Sequence, residues 1–274
     1  MAAPFGLIRD PWTQLALGLV LGVIVALGAR RASVLTTGGA IAAAAVGALT
    51  FGVGGWAPAI LLLTFFVSSS LLSRQSSERK QTLAIRSAKG GRRDVWQVLA
   101  NGAVPALLAV GFGLTHEDLW LVGVAGALAA SNADTWATEV GVLARTPPRM
   151  ITNLRPVEAG TSGAISLLGS AAALAGALLI GLGAALLAGH IGLFYLAGAV
   201  GLLASLLDSL LGATVQAKYM CPNCDHLTER HPTHSCGTAT VLARGWRWLG
   251  NDQVNLIASI AGAALALGFW NAFS

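Results

Sequence analysis

Two carboxylates interrupt an apolar run that is long enough to cross a membrane. Asp134 and Glu139 lie between Leu119 and Leu143, a segment that is otherwise mainly apolar. An acid near the bilayer centre costs roughly 2.5–3.5 kcal/mol on insertion scales, so such residues are candidates for a functional site. At about 100° per residue, the polar side chains of this segment share one arc of a helix. They are Ser131, Asn132, Asp134, Thr135, Thr138 and Glu139.

The chemistry that suits this polar face is the binding of a divalent cation. Carboxylate and amide oxygens are ligands that Mg²⁺ accepts, which predicts Asn132 and Asp134 as metal ligands. Asp208 lies in a second apolar segment, within Ser205-Leu206-Leu207-Asp208-Ser209, and we expect it to bind the same Mg²⁺ ion. Two alternatives remain open: a hydrogen-bond network that holds helices together, and an ion pair between Asp208 and an arginine.

Basic and small polar residues near the starts of predicted helices form a candidate phosphate site. Backbone N–H groups at a helix start and fixed cations both attract anions. The candidates are Lys89, Arg92, Arg93 and Asn101 around one helix, Thr161 and Ser162 at the start of a later one, and Asn251, Asp252 and Asn255 at the last one. For the basic loop the alternative is contact with anionic lipid, and for Asp252 it is capping of the helix.

The three cysteines of the chain lie in one loop, at positions 221, 224 and 236. A CxxC pair followed closely by His234-Ser235-Cys236 predicts a closed, four-ligand zinc site of the structural kind. Its ligands would be Cys221, Cys224, His234 and Cys236. His226 and His231 compete with His234 for the fourth position.

Apolar segments must position all of these residues, because 55% of the chain is hydrophobic and only 11% is charged. A soluble domain carries about 25% charged residues, so the composition predicts a single integral-membrane domain over residues 1–274. We expect an all-α, polytopic membrane bundle of about seven or eight transmembrane helices. The predicted spans are about 12–29, 34–52, 55–73, 95–114, 119–144, 161–187, 192–217 and 252–271, with the second and third as a possible re-entrant pair. The Cys/His loop at 218–250 is inserted between the last two.

The distribution of basic residues predicts the orientation in the cell membrane. If the loop at 74–94 is cytoplasmic, 16 of the 17 Lys and Arg residues lie on the cytoplasmic side and only Arg9 lies outside. Both termini are then outside and the large loops are cytoplasmic. The net charge of +5 reflects this sorting, so we expect no nucleic-acid partner.

Five motifs in this order resemble a known family. They are Lys89-Gly90-Gly91-Arg92-Arg93-Asp94 with Gln97 to Gly102, Ser131 to Gly141, Gly160-Thr161-Ser162-Gly163, Asp208-Ser209-Leu210-Leu211-Gly212-Ala213, and Asn251-Asp252-Gln253-Val254-Asn255. Over about residues 15–272 the chain resembles the integral-membrane family of domain of unknown function 92, which includes plant phytyl-phosphate kinase and animal transmembrane protein 19. Its Cys/His loop is similar to that of bacterial and archaeal members.

The resemblance implies a CTP-preferring kinase that converts a prenyl monophosphate, such as phytyl or geranylgeranyl phosphate, to the diphosphate. Asp134, Glu139, Asp208 and Lys89 would be the catalytic residues, with Mg²⁺ bound together with the nucleotide. The partners would be a nucleoside triphosphate, the prenyl-phosphate lipid and membrane lipids. Two other functions fit the residues: a transporter or lipid flippase with an intramembrane cation or proton site, and a cytidylyl or CDP-alcohol transferase.

Overall fold

Eight α-helices carry most of the chain in the computed structural model, which describes residues 10–75 and 91–273. We number these helices in chain order. They are α1 (Pro11–Arg31), α2 (Thr37–Gly52), α3 (Trp56–Arg74), α4 (Val95–Thr115), α5 (Asp118–Gly141), α6 (Leu167–Ala188), α7 (Gly192–Thr214) and α8 (Asn251–Phe273).

Polar side chains fix where several of the helices begin. Asp94 accepts a hydrogen bond from the backbone N–H of Gln97, and the Gln97 side chain accepts one from the N–H of Asp94. This capping box satisfies backbone donors that the first turn of α4 would otherwise leave unpaired. Ser166 caps α6 in a similar way, accepting from the N–H of Gly169 at 3.0 Å.

Helix α5 lies at the centre of the bundle. It packs against α3, α4, α6, α7 and α8, and every residue from Leu121 to Ala133 is buried. Small residues allow the close approach that packing in lipid requires. A Cβ atom on Gly126 would lie 2.5 Å from the carbonyl oxygen of Gly262 on α8. Helix α5 is therefore in contact with five neighbouring helices.

The predicted all-α membrane bundle is confirmed. Six of the helices in the described part of the chain are long and apolar enough to cross a membrane. The other two are α2, whose 16 residues extend about 24 Å against a hydrocarbon core of about 30 Å, and α5, whose polar cluster lowers its hydropathy. All eight predicted spans correspond to helices, although four of their boundaries differ by three residues or more.

Those differences occur where the chain enters or leaves the bundle. Residues 161–166 precede α6 rather than begin it, and α7 ends at Thr214 rather than at residue 217. Helix α2 begins at Thr37 rather than at residue 34, and α5 ends at Gly141 rather than at residue 144. Residues 34–36, 161–166 and 215–217 pair with other loops, whereas Leu143 and Ala144 bond back to the last turn of α5.

Five short strands lie in the loops that the structure describes. The loop from α5 to α6 holds β1 (Arg149–Met150) paired antiparallel with β2 (Ala164–Ile165). The loop from α7 to α8 holds β3 (Lys218–Cys221), β4 (His226–Thr228) and β5 (Val241–Arg244). These three form an antiparallel sheet in the order β4-β3-β5, which we call the Cys/His sheet. It is joined to the bundle because the Arg244 guanidinium donates to the carbonyls of Gly212 and Ala213 at the end of α7.

Candidate functional site

A cavity of about 1320 Å³ opens among the helices and beneath the Cys/His sheet. Ligand pockets usually measure about 300–1,000 Å³, so this cavity has room for two substrates. Most of the candidate residues line it: Arg93, Asn101, Asp134, Glu139, Thr161, Ser162, Asp208, Asn251, Asp252 and Asn255. They come from segments far apart in the chain, which the fold brings to one end of the bundle.

The cavity has a second, apolar part between α1, α2 and α3. Its wall includes Leu21, Val25, Val46, Ile60 and Phe66. This part is continuous with the polar part that contains the acids. A single molecule with a charged end and a hydrocarbon tail would therefore meet matching surfaces in both.

Asp134 of α5 and Asp208 of α7 form the acidic centre of the polar part. Both line the cavity, and the two carboxyl groups lie within electrostatic reach of each other. Oxygen Oδ2 of Asp208 is buried and has no hydrogen-bond partner among the described residues. A buried carboxylate oxygen without a donor is costly, and a bound cation would satisfy it. The donor set fits Mg²⁺, which prefers carboxylate oxygens and water.

The prediction of Asn132 as a metal ligand is wrong in this structure. Its side chain is fully buried and is absent from the cavity wall. The Asn132 Oδ1 atom accepts from the hydroxyls of Ser68 and Ser69 at 3.1 and 3.0 Å, and Nδ2 donates to the Gly176 carbonyl at 2.7 Å. Because these bonds use both polar atoms, Asn132 links α3, α5 and α6. The polar arc of α5 is thus divided between helix packing and the cavity.

Glu139 lies near the C-terminal end of α5, on the polar face of that helix, and it interacts with two other segments. Its Oε1 accepts from the hydroxyl of Ser73 on α3 at 2.6 Å. Its charge also acts on Arg93, just before α4. Glu139 therefore holds the end of α3 and the basic segment beside the cavity.

The three predicted basic residues before α4 have different outcomes. Arg93 lines the cavity, and its guanidinium lies 5.9 and 6.0 Å from the ring centroids of Phe65 and Phe66. Arg92 does not line the cavity, because Nε and Nη2 both donate to the Leu35 carbonyl; its prediction as a phosphate ligand is wrong here. Lys89 lies outside the described residues.

The expectation that Thr161 and Ser162 begin a helix is also wrong, although both residues line the cavity. They lie in a turn before β2, and Thr161 Oγ1 donates to the Glu158 carbonyl. The turn packs directly on the end of α7. Gly163 has a φ of +82°, and a Cβ atom there would lie 2.5 Å from Ala213, so this close approach requires glycine.

The start of α8 closes the cavity from another side. Asn251, Asp252 and Asn255 line the wall. The first turn receives its capping contact from Gln253, whose Oε1 accepts from the N–H of Gly250 at 3.0 Å. Asn101 completes the polar wall from α4, where Nδ2 donates to the Gln97 carbonyl.

The loop from α7 to α8, which carries the Cys/His sheet, contributes residues that the sequence did not mark as part of the acid and phosphate site. They line the cavity: Lys218, His226, Glu229, His231, Arg244 and Arg247. Lys218 forms an ion pair with Glu229 and is only 7% exposed. Lys218 follows the end of α7, the helix of Asp208, by four residues. This short separation in the sequence could have indicated that Lys218 lies near the acid. The cysteine spacing had instead suggested a self-contained zinc loop.

The predicted zinc ligands do converge. Cys221, Cys224, His234 and Cys236 place their ligand atoms within 4.8 Å of one another. The Sγ atoms of Cys221 and Cys236 are 3.5 Å apart, and His234 Nδ1 lies 3.5 Å from Cys224 Sγ and 3.3 Å from Cys236 Sγ. A tetrahedral zinc with Zn–S bonds of about 2.3 Å needs neighbouring ligands about 3.7 Å apart, so the set fits zinc.

The remaining histidines and the thiol chemistry agree with this set. His226 and His231 line the cavity, and His231 stacks on Tyr219 with ring centroids 4.4 Å apart. Contacts with Thr238 and His234 lower the pKa of Cys236 to about 5, whereas the hydrogen bond with Cys236 raises the pKa of Cys224 to about 11. The thiolate, which is the form that binds a metal, is therefore favoured at Cys236, and Cys224 would lose its proton as the metal binds.

Comparison with known proteins identifies the family. The profile described as "Integral membrane protein DUF92" matches residues 20–263. This chain belongs to that family. The resemblance inferred from the five motifs is thereby confirmed, and so is the multi-pass membrane character of the chain.

Members of this family occur in archaea and plants. The chain is 31% identical over 254 residues to the uncharacterized membrane protein MJ0933 of Methanocaldococcus jannaschii, covering 93% of each chain. It is 32% identical to protein PGR of Arabidopsis thaliana, over 77% of this chain and 82% of that protein. To protein VTE6, chloroplastic, of the same plant it is 27% identical, over 85% of this chain and 64% of that protein. No solved structure matches the chain.

Proposed function

We propose that this protein transfers the γ-phosphoryl group of a nucleoside triphosphate to a prenyl monophosphate and so forms the prenyl diphosphate. The observation that carries the proposal is the continuity of the cavity. One space joins the acid pair Asp134 and Asp208 and the cation Arg93 to an apolar channel between α1, α2 and α3. The family resemblance to plant phytyl-phosphate kinase supports the choice of a prenyl phosphate as acceptor and of CTP as donor.

Different residues of the cavity would have different roles in phosphoryl transfer. Such reactions depend mainly on positioning and on neutralising negative charge. Asp134 and Asp208 would hold Mg²⁺, which supplies charge neutralisation at the transferred phosphoryl group. Arg93 would bind a phosphate of the nucleotide or the acceptor. Glu139 would keep Arg93 in place, and the acceptor phosphate, already anionic at neutral pH, would attack without a strong general base.

The loops around the cavity would supply further contacts to the phosphates. Thr161 and Ser162 would act from the turn before β2, and Asn251, Asp252 and Asn255 from the start of α8. Lys89 belongs to the same basic segment as Arg93, and we keep it as a catalytic candidate. The prenyl tail would occupy the apolar channel, whose side chains offer it surroundings as apolar as the bilayer from which it comes.

We also propose that Cys221, Cys224, His234 and Cys236 hold a structural zinc ion that fixes the Cys/His sheet over the cavity. Four protein ligands leave no open position for catalysis. The positive-inside distribution of Lys and Arg supports a cytoplasmic location for this end of the bundle in the cell membrane, with both termini outside. The nucleotide would then enter from the cytoplasm.

A kinase assay with labelled CTP tests the proposal. The purified protein in lipid nanodiscs would be given Mg²⁺ and phytyl, geranylgeranyl or farnesyl phosphate. We expect γ-labelled CTP to yield labelled prenyl diphosphate, and α-labelled CTP to yield CDP. Release of CMP or pyrophosphate would indicate a cytidylyl or CDP-alcohol transferase instead. No diphosphate from any of the three acceptors would refute the proposed function.

Two variants sharpen this assay. Asp134→Asn should abolish transfer, because it removes one of the two cavity carboxylates that we propose as Mg²⁺ ligands. The matched control is Asp118→Asn, the same change at the exposed start of the same helix, and it should keep its activity. Equal activity in both variants would exclude Asp134 from the reaction.

A further inference from the structure

Lys218 is the first residue of the Cys/His sheet and lies on the wall of the main cavity. It is 7% exposed, although lysine is almost never fully buried without a partner. Strand β3, which carries it, is the central strand of the sheet, between β4 and β5. Lys218 is paired with Arg244 of β5, and the next residue, Tyr219, is paired with Thr228 of β4, so strand pairing fixes the start of β3 beside the cavity.

A chain of polar contacts connects Lys218 to the candidate phosphate loop. Its ammonium donates to Glu229 Oε1, and the same oxygen accepts from Gln216 Nε2 at 3.2 Å. Gln216 Oε1 in turn accepts from the Ser162 hydroxyl at 2.6 Å. The contacts thus link the sheet, the end of α7 and the turn before β2 at one point of the cavity.

The ammonium also lies within electrostatic reach of Asp208. It is therefore close to the acid pair that we propose for Mg²⁺. A ligand with two anionic groups could bridge the metal on one side and the ammonium on the other. Arg244, the nearest cation of the sheet by strand pairing, is instead engaged with the last carbonyls of α7.

An ion pair inside a cavity has little value for stability alone, because desolvation of both charges offsets their attraction. A lysine held next to a metal site has a clear use in phosphate binding, where it acts as a compact positive charge. Glu229 has a side chain that is 20% exposed, so water or a phosphate oxygen can replace its carboxylate on the ammonium.

We propose that Lys218 is a phosphate-binding residue of the cavity and that Glu229 holds its ammonium until a phosphate oxygen displaces the carboxylate. The assignment of this phosphate to a nucleotide or to a prenyl lipid rests on the proposed function. The proposal that Lys218 binds a phosphate anion is independent of the proposed function. The Cys/His sheet is then part of the substrate site as well as a zinc module.

Pyrophosphate is a suitable probe, because it carries the phosphate chemistry without a base or a tail. Its binding to the full-length protein in nanodiscs would be measured by calorimetry with Mg²⁺ present. We expect Lys218→Met to weaken binding about 10- to 100-fold, as for loss of a hydrogen bond to a charged group. Lys218→Arg should recover part of the loss. Arg155→Met removes a positive charge from an exposed loop position outside the cavity wall and should change nothing.

The second half of the proposal concerns Glu229. Glu229→Gln removes the carboxylate that competes for the ammonium, so pyrophosphate should bind more tightly than to the wild type. If Glu229→Gln weakened binding as much as Lys218→Met, the pair would be only a fold contact and the proposal would be overturned. Unchanged affinity in Lys218→Met, or no binding by the wild-type protein, would also overturn it.

The kinase assay separates this inference from the proposed function. A protein that binds pyrophosphate through Lys218 but makes no prenyl diphosphate would refute the proposed function and leave the phosphate site standing. If transfer occurs, the KM values of Lys218→Met show which phosphate the lysine binds. A higher KM for CTP identifies the nucleotide, and a higher KM for the prenyl phosphate identifies the acceptor.

Discussion

Replacement of Asp208 by asparagine should stabilise the metal-free protein and remove its response to Mg²⁺. Oxygen Oδ2 of Asp208 is buried without a hydrogen-bond partner among the described residues, and the carboxyl group also faces the charges of Asp134 and Glu229. Within residues 10–75 and 91–273, Lys218 is the cation that offsets these charges. The buried carboxylate of Asp208 therefore destabilises the metal-free protein. Asp208→Asn should raise its free energy of unfolding, because the amide keeps the shape of the side chain and loses the charge.

The expected change in stability is derived from the cost of an acidic side chain in a membrane helix and from the stabilisation that a bound ligand gives to the folded protein. An acid at the centre of a helix in a bilayer costs about 2.5–3.5 kcal/mol. Asp208 lies two turns from the end of α7 and beside a lysine, so we expect a relief of about 1–2 kcal/mol. At about 2–4 °C per kcal/mol, the Tm of the metal-free variant should rise by about 2–8 °C. Magnesium at 100 times its Kd should stabilise the wild type by about 2.7 kcal/mol, and the variant by much less.

The two proteins should therefore exchange their order of stability as Mg²⁺ is added. Thermal unfolding in nanodiscs would be followed in magnesium-free buffer and across a Mg²⁺ titration. A chelator is omitted, because it would also remove zinc. Asp118→Asn is the control, and it should follow the wild type throughout. A metal-free Asp208→Asn protein that is less stable than the wild type, or one that keeps the full response to Mg²⁺, would refute the metal-site reasoning.

Three further predictions concern other parts of the site. Asn132→Ala should lower the free energy of unfolding by about 2 kcal/mol, since it removes three interhelical hydrogen bonds of about 0.6 kcal/mol each; a weaker Kd for Mg²⁺ with unchanged Tm would restore Asn132 as a ligand. The wild type should contain about one zinc per chain by atomic emission, whereas Cys236→Ser should lose it and bind pyrophosphate more weakly; full zinc content in that variant would exclude the four-ligand site. Burial has the largest effect on Lys218 and lowers its pKa below 10.5. Glu229 and Asp208 act to raise this pKa, and Arg244 lowers it by a smaller amount. Pyrophosphate affinity should therefore fall as the pH rises through that lowered pKa, and Lys218→Arg should not show this fall because its guanidinium stays charged; identical pH profiles would contradict it.

Much of the fold could be predicted, because a membrane restricts how a chain can satisfy its backbone. In lipid each spanning helix must pair its own N–H and C=O groups. The apolar runs therefore mark the helices directly, and all eight were located. Boundaries were less certain at residues 161–166 and 215–217, because small and polar residues there fit either a helix end or a loop. Contacts such as that of Ser162 with Gln216 decided between them.

The candidate site was predictable to a smaller extent. Asp134 and Asp208 stand out because charge is rare in apolar helices, and that signal is independent of the fold. Asn132 also stands out as a polar residue in an apolar helix. Its amide, however, can form hydrogen bonds that hold helices together rather than bind a ligand. The sequence contains no information on which way each polar side chain turns. Packing against Ser68, Ser69 and Gly176 assigned Asn132 to the helix interface.

Local patterns along the chain are sufficient to recognise the apolar helices, the acids within them, the cysteine spacing and the family. Which groups share one cavity depends on the packing of segments that lie far apart in the chain. Lys218 is the clearest case: its neighbours in the chain suggest a zinc loop, while its neighbours in space are Glu229 and Asp208. Distances between segments depend on how helices and sheet pack, and no single segment of the chain encodes that packing.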